Sequence, residues 1–144
     1  MKIDNTDLQI IEWLKENGRI SNNEIASKLN VSEGTVRNRI KKLTENNYLK
    51  VKGLVNPNQI KDKQTIFLGI NVAVSKDLEK TAKAVADLPN VQSTSIVSGR
   101  YDIIIEVFLE PYAVINFLSN DLASVDSIIS TESFLTLKAY NKWI

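Results

Sequence analysis

Residues 32–46 read SEGTVRNRIKKLTEN, and the two faces of this stretch decide the fold. On a helix at about 100° per residue, Val36, Ile40 and Leu43 fall on one narrow stripe, while Gly34, Asn38, Lys41 and Lys42 gather opposite. One face packs; the other is left to touch a partner. Thr35, Arg37 and Arg39 flank the outer face, which therefore offers hydroxyl, amide and cationic donors. A partner that is anionic and carries hydrogen-bonding edges suits it, and nucleic acid fits that description best.

Just upstream, Ser21-Asn-Asn-Glu24 has the form of a capping box and opens a short helix with Ile25, Ala26 and Leu29 inward. Only Asn30 and Val31 separate it from the next cap at Ser32. So tight a corner needs a residue that tolerates positive φ, which asparagine does, and Val31 plugs its inside. Ala26 is small where the helices must approach, so residues 20–43 carry the pattern of a helix-turn-helix. Before it, Asp4 or Thr6 caps a helix over residues 4–16, with Leu8, Ile11 and Leu14 inward and Ile10 and Trp13 beside them. Gly18 is expected to end that helix in the left-handed conformation.

Downstream, residues 48–55 (YLKVKGLV) alternate apolar and basic around Gly53, which predicts a small β-wing displaying Lys50 and Lys52. A polar connector follows over 56–64. The spacing divides the chain into a first domain, 1–55, this linker, and a second domain, 65–144. The second domain has a β-α-β-β-α-β rhythm. Residues 65–74 alternate with Ile66, Leu68, Ile70, Val72 and Val74 on one face. Ser75 or Asp77 starts a helix carrying Leu78, Ala82, Val85 and Leu88. Strands are expected over 91–98, 103–109 and 128–140. Pro111 opens a second helix, where its missing donor is harmless, with Val114, Phe117, Leu118 and Leu122 inward. The expected class is α+β: a winged helix-turn-helix followed by a ferredoxin-like domain, with four antiparallel strands and both helices on one face.

Composition narrows the function. The 144 residues, 43% of them apolar, contain no cysteine and no histidine. That removes disulfides, thiolate and imidazole chemistry and most transition-metal sites. No apolar run approaches the ~20 residues that span a bilayer, so the protein is expected to be soluble and cytoplasmic, with no membrane partner. Up to residue 60, ten basic residues face seven acids; from 61 onward eight face ten. The cations sit where the outer face of residues 32–46 needs them.

Together these features resemble the Lrp/AsnC (feast/famine) transcriptional regulators over essentially the whole chain. Ile3-Asp4-x-x-Asp7-x-x-Ile10-Ile11-x-x-Leu14 with Gly18-Arg19-Ile20-Ser21 is similar to that family's first helix and its exit. Ile25-Ala26 through Ser32 and Val36-x-x-Arg39-Ile40-x-x-Leu43 resemble its helix-turn-helix. Gly99-x-Tyr101-Asp102 and Thr131-x-Ser133 resemble its ligand-responsive domain. Asn30 and Asn47 stand where the family usually has glycine, and Lys61-Asp62-Lys63 replace its glycine before the second domain. The resemblance implies that Ser98, Gly99, Arg100, Tyr101, Asp102, Thr131, Glu132 and Ser133 line a cleft for an amino acid or related metabolite. Asp102 would suit its ammonium group and Arg100 its carboxylate. It also implies dimers that assemble further to tetramers or octamers.

A basic run on a helix is often only a solvated face, and Gly99–Asp102 alone would read as a plain hairpin turn. The capped helix, the two-residue corner and the wing weigh against the first reading, and the resemblance weighs against the second. Within the DNA-facing set, Thr35 and Asn38 are assigned to base edges, with Gly34 allowing close approach. Ser32, Arg37, Arg39 and Lys42 join them, the last three as phosphate contacts, with Asn22, Asn23 and Lys50 on the outer backbone. Arg39 borders the core stripe, so an ion pair with Glu12 or Glu45 is the alternative for it. Asp102 and Glu106 share a strand face but have no histidine, cysteine or other polar partner nearby, so no enzyme and no cofactor is expected. The function expected is sequence-specific regulation of transcription, modulated by a small effector and requiring at least a dimer. The rivals are a small-molecule module with protein-binding helices and a low-specificity architectural DNA-binding protein. The first would more often expose aromatics on its contact face, and the second would carry more charge than the modest surplus of the first domain.

Overall fold

The computed structural model describes residues 2–73 and 75–144. The chain forms two compact units, Met1–Gly53 and Leu54–Ile144. In the first, α1 (Asn5–Glu16), α2 (Asn22–Leu29) and α3 (Glu33–Glu45) enclose Ile10, Ile25, Ala26, Val36 and Leu43. Each helix starts where a side chain satisfies its free amides. Asp4 and Asp7 form a reciprocal capping box on α1, Ser21 and Glu24 do the same on α2, and Ser32 caps α3. Asn30 turns the α2–α3 corner with φ 51°, ψ 47°, and Asn47 leaves α3 with φ 59°, so both take the conformation for which glycine is the usual choice.

Two local expectations fail in this unit. Helix α1 ends at Asn17 in extended geometry, φ −144°, and Gly18 is not left-handed. Its C-terminus is closed instead by the Asn17 amide, which donates to the Trp13 carbonyl. The wing stretch, 48–55, forms no strand ladder. The Tyr48 and Leu49 amides both donate to the Leu43 carbonyl, which holds the chain against the end of α3. An isolated pair of arms this short is marginal without further strands to pack on.

In the second unit, β1 (Gln64–Val72), β2 (Val91–Ile96), β3 (Ile103–Leu109) and β4 (Ile128–Leu135) form one antiparallel sheet in the order β2-β3-β1-β4. Ile66, Leu68 and Ile70 of β1 and Ile103, Ile105 and Val107 of β3 point to one face, where Ala82 and Val85 of α4 (Leu78–Ala86), together with Phe117 and Leu122, cover them. This is the βαββαβ sandwich that the alternation predicts. Val74, placed on the same face from sequence, lies outside the described residues.

The second crossover is less regular than expected. Only Ala113–Asn116 (α5) is α-helical; Phe117–Asp121 widens into a π-turn and Leu122–Ser124 tightens into a 3-10 turn. The Ser119 hydroxyl donates to the Ile115 carbonyl at 2.8 Å and the Ser124 hydroxyl to that of Asp121 at 2.6 Å. Such back-bonding competes with the helical ladder and bends it. Strands β2 and β4 stop at Ile96 and Leu135, short of 98 and 140. The stretch 56–64 is built into the second unit: Pro57 is buried, and Asn58 exchanges two hydrogen bonds with the Ala139 backbone, at 2.7 and 3.2 Å. Val55 and Ile144 likewise exchange backbone bonds at 2.8 and 3.1 Å.

Candidate functional site

The outward face of α3 is built from its N-terminal turn. The Ser32 hydroxyl accepts the Thr35 amide at 3.1 Å and shares a 2.8 Å hydrogen bond with the Thr35 hydroxyl, which fixes both at the start of the helix. Gly34 has only ordinary contacts where a Cβ would stand, 3.9 Å from Ser32 Oγ and from Arg37 Nη2, so nothing inside the protein demands glycine there. Its missing side chain instead lowers the surface beside Thr35.

Thr35, Asn38 and Lys42 stand one above another on α3 and line a cleft of about 420 Å³ with Lys2, Asp4, Asp7 and Arg39. Asn38 and Lys42 are exposed. Lys2 was not foreseen as part of this set; only its position two residues before the α1 cap hinted at it. Arg39 takes a different place from the one expected. Its Nη1 donates to Asp7 Oδ1 at 2.7 Å and Asp4 Oδ2 at 2.8 Å, not to Glu12 or Glu45. These two carboxylates, Asp7 first, hold the guanidinium above its ordinary pKa. The Asp7 side chain is 4% exposed, so Arg39 neutralises a buried charge and ties α3 to the start of α1. Asp4 is held below the usual carboxylate range, first by the Asp7 amide and then by Arg39.

Arg37 is exposed and pairs with Glu33 at 3.2 Å, and the Asn22 amide reaches the same carboxylate at 3.4 Å. Glu33 thus gathers two of the residues expected to face phosphate. Asn23 and Lys50 are exposed. Lys41, outermost on the helix, pairs loosely with Glu45 at 3.8 Å.

The loop expected to hold an effector lies at the far end of β1. Gly99 has φ 127° and there the backbone requires glycine. Asp102 is bound into the sheet: its amide donates to the Ile70 carbonyl at 3.0 Å and its Oδ2 accepts the Val72 amide at 2.8 Å. Tyr101 lies flat over Gly69, where a Cβ would meet three ring atoms at 2.6 Å. Its hydroxyl hydrogen-bonds Glu132, its ring meets the edge of Phe134 at 6.1 Å, and Arg100 Nη2 approaches Glu132 at 3.4 Å. The strand register separates the rest of the expected set. Glu132 pairs with Gly69 on the open face, while Thr131 and Ser133 pair with Ile70 and Leu68 and so point toward the helix side. Thr131 lines a second cleft there with Leu118, Leu122 and Val125. Gly69 was missed from sequence, although a lone glycine inside an alternating strand is the signal for such a close approach. Among the described residues no group of three or more carboxylates stands ready to hold a metal ion.

Residues 3–50 match the family profile of winged helix-turn-helix DNA-binding domains, and residues 65–142 match that of the Lrp/AsnC ligand binding domain. The chain belongs to the Lrp/AsnC family. It is a DNA-binding transcriptional regulator with a ligand-binding domain. An uncharacterised HTH-type transcriptional regulator of Pyrococcus abyssi is 31% identical over 99% of this chain and 90% of its own length. The regulatory protein AsnC of Escherichia coli is 30% identical over 94% of this chain and 91% of its own. The solved structure of E. coli AsnC superposes with a TM-score of 0.69 at 29% identity, covering 96% of this chain and 95% of that one. A Neisseria meningitidis transcriptional regulator in complex with L-Met shares the fold at TM-score 0.72 and 24% identity, covering 98% and 94%. In this Lrp/AsnC chain the ligand-binding profile covers both the Tyr101 loop and the Thr131 cleft.

Proposed function

We propose that this regulator discriminates its operator through Thr35 and Asn38, and that Lys2, Arg37 and Lys42 position the helix on phosphates. The observation that carries this reading is the shared cleft in which the uncharged donors Thr35 and Asn38 stand beside the ammonium groups of Lys2 and Lys42, while Arg39 occupies the carboxylates of Asp4 and Asp7. Asn22, Asn23, Ser32 and Lys50 add outer contacts to the DNA backbone, and Arg39 serves the reading surface by holding α3 in place. The first unit reads DNA. The second binds an amino acid or related small metabolite beside Arg100, Tyr101 and Glu132, with Thr131 lining a separate cleft on the helix side of the sheet, and joins copies of the chain in the cytoplasm. The L-Met complex of the Neisseria regulator, which has the same fold, supports the ligand class. One helix-turn-helix covers too little groove to be specific alone, so paired copies with half-sites about 34 Å apart are required.

Fluorescence anisotropy on the DNA upstream of the protein's own gene tests the DNA reading. Asn38→Ala should narrow the preference for that DNA over random duplex by about tenfold or more, the weight of one bidentate base contact. Lys42→Ala should weaken both equally and reduce the salt slope by about one. An unchanged preference in Asn38→Ala overturns the assignment of base reading. A thermal-shift screen of the common amino acids tests the effector, since a ligand of the folded state raises its midpoint. A flat screen at millimolar concentrations overturns the amino-acid class and leaves DNA reading intact.

A further inference from the structure

The Arg39 guanidinium carries five N–H donors in a planar fork, and its partners in the first unit use only one end of it. Nη1 donates both of its hydrogens, to Asp7 Oδ1 at 2.7 Å and to Asp4 Oδ2 at 2.8 Å. Among the described residues Nη2 and Nε, which hold the other three, have no partner. The side chain is 30% exposed and lines the cleft with Thr35, Asn38, Lys2 and Lys42. One end of the head is turned inward, and the other is free. Arg39 comes four residues after Thr35 and three before Lys42, so the three side chains are neighbours on one flank of α3. Lys2 and Lys42 are exposed, and among the described residues neither forms an ion pair.

The carboxylates that hold it are used at every oxygen. Asp7 Oδ2 accepts the Asp4 amide at 3.1 Å, Asp4 Oδ1 accepts the Asp7 amide at 2.9 Å, and the second oxygen of each takes Arg39. The Asp7 side chain is 4% exposed, so it cannot follow Arg39 outward. Two acids beside a DNA-facing cleft would on their own repel the backbone. A lysine would neutralise them as a point charge with one donor left over, whereas the fork leaves three in a plane. Held at Nη1 by two bonds, the fork is oriented before anything reaches it, so little side-chain freedom remains to be lost on binding. Its unused donors, in a cleft that also holds two ammonium groups, suit the paired oxygens of a phosphate.

We infer that Asp7 is a positioning residue for DNA binding: with Asp4 it holds Arg39 by Nη1 so that Nη2 and Nε grip a backbone phosphate, alongside Lys2 and Lys42. The inference rests on the DNA reading proposed above and gives Arg39 a direct contact in addition to its hold on α3.

Fluorescence anisotropy of the full chain on the upstream DNA and on random duplex, over a series of salt concentrations, tests it. Asp7→Asn takes a negative charge away from the cleft, so plain electrostatics predicts tighter binding to both duplexes; a loosened Arg39 predicts binding about tenfold weaker to both. The double variant Asp7→Asn/Arg39→Gln leaves the net charge unchanged and no buried charge unpaired. Its salt slope should be lower than the parent's by about one, the weight of one phosphate contact. Arg39→Lys keeps a cation for Asp7 and native helical circular dichroism, and should lower the slope likewise; a residue that only braces α3 would leave it unchanged. Tighter binding by Asp7→Asn, or a parental slope in the folded Arg39 variants, overturns the inference. So does a preference relaxed at one base pair with the slope unchanged, because Arg39 would then read a base. Where Lys42→Ala behaves as expected above and the Arg39 variants do not, this inference alone fails; where the parent shows no salt-dependent binding, the DNA reading fails with it.

Discussion

Gly69 and Arg39 show how a single residue sets the form of each unit. At Gly69 an added methyl has no room, since Tyr101 Cγ and both Cδ atoms lie 2.6 Å from where it would stand. Gly69→Ala must push the ring aside and with it the bond to Glu132 and the edge contact to Phe134. A loss of about 1–3 kcal/mol is expected from urea denaturation, and Tyr101→Ser should relieve most of it in the double variant. Additive losses would show that the ring is not what excludes the side chain. Arg39 is the counterpart in the first unit. Its two carboxylates explain why a residue with a phosphate-binding head is turned inward, and removing it would leave Asp7 buried without a cation.

Among the elements, the helices of the first unit were the most legible from sequence, because their starts are written in side chains that do one job. Ser21 and Glu24, Ser32, and the left-handed Asn30 each occupy the place that cap and corner chemistry gives them. The β1 alternation announced the sheet for the same reason. What escaped notice depends on partners far apart in the chain: the Arg39 ion pairs span 32 and 35 residues, and the stacking of Tyr101 on Gly69 joins two strands. The division of residues 131–133 between two faces was available from the period of a strand, but a family motif read as one patch hid it. The capping boxes also set a pH dependence. Asp4 and Glu24 are both held below the ordinary carboxylate range, chiefly by the backbone amides of Asp7 and Ser21. A depressed carboxylate contributes stability above its unfolded pKa and loses it as pH falls through the folded value. The helical unit should therefore weaken below about pH 4, and Asp4→Asn with Glu24→Gln should flatten that slope in urea titrations followed by helical circular dichroism. A slope unchanged by both substitutions would place the acid sensitivity elsewhere.

The whole molecule leaves apolar surface uncovered in its second unit. Leu137 is 89% exposed, Tyr140 78%, Ile115 75% and Ile129 66%, and these apolar side chains are available for contact between copies. Sedimentation should find the protein assembled at micromolar concentration, and Leu137→Asp with Tyr140→Asp should shift it toward the single chain while the fold persists. An unchanged sedimentation coefficient would remove this end of the chain from the contact. The two cores are separate: Ile10, Ile25, Val36 and Leu43 form one, and the residues between sheet and helices the other. That separation has a genetic meaning. Where copies join through the second unit, as proposed above, a lesion in the first core would empty the DNA-reading half of its fold and leave the second half able to join intact copies. Such an allele would poison mixed assemblies and behave as a dominant negative, whereas a lesion in the second core would be silent beside a good copy of the gene.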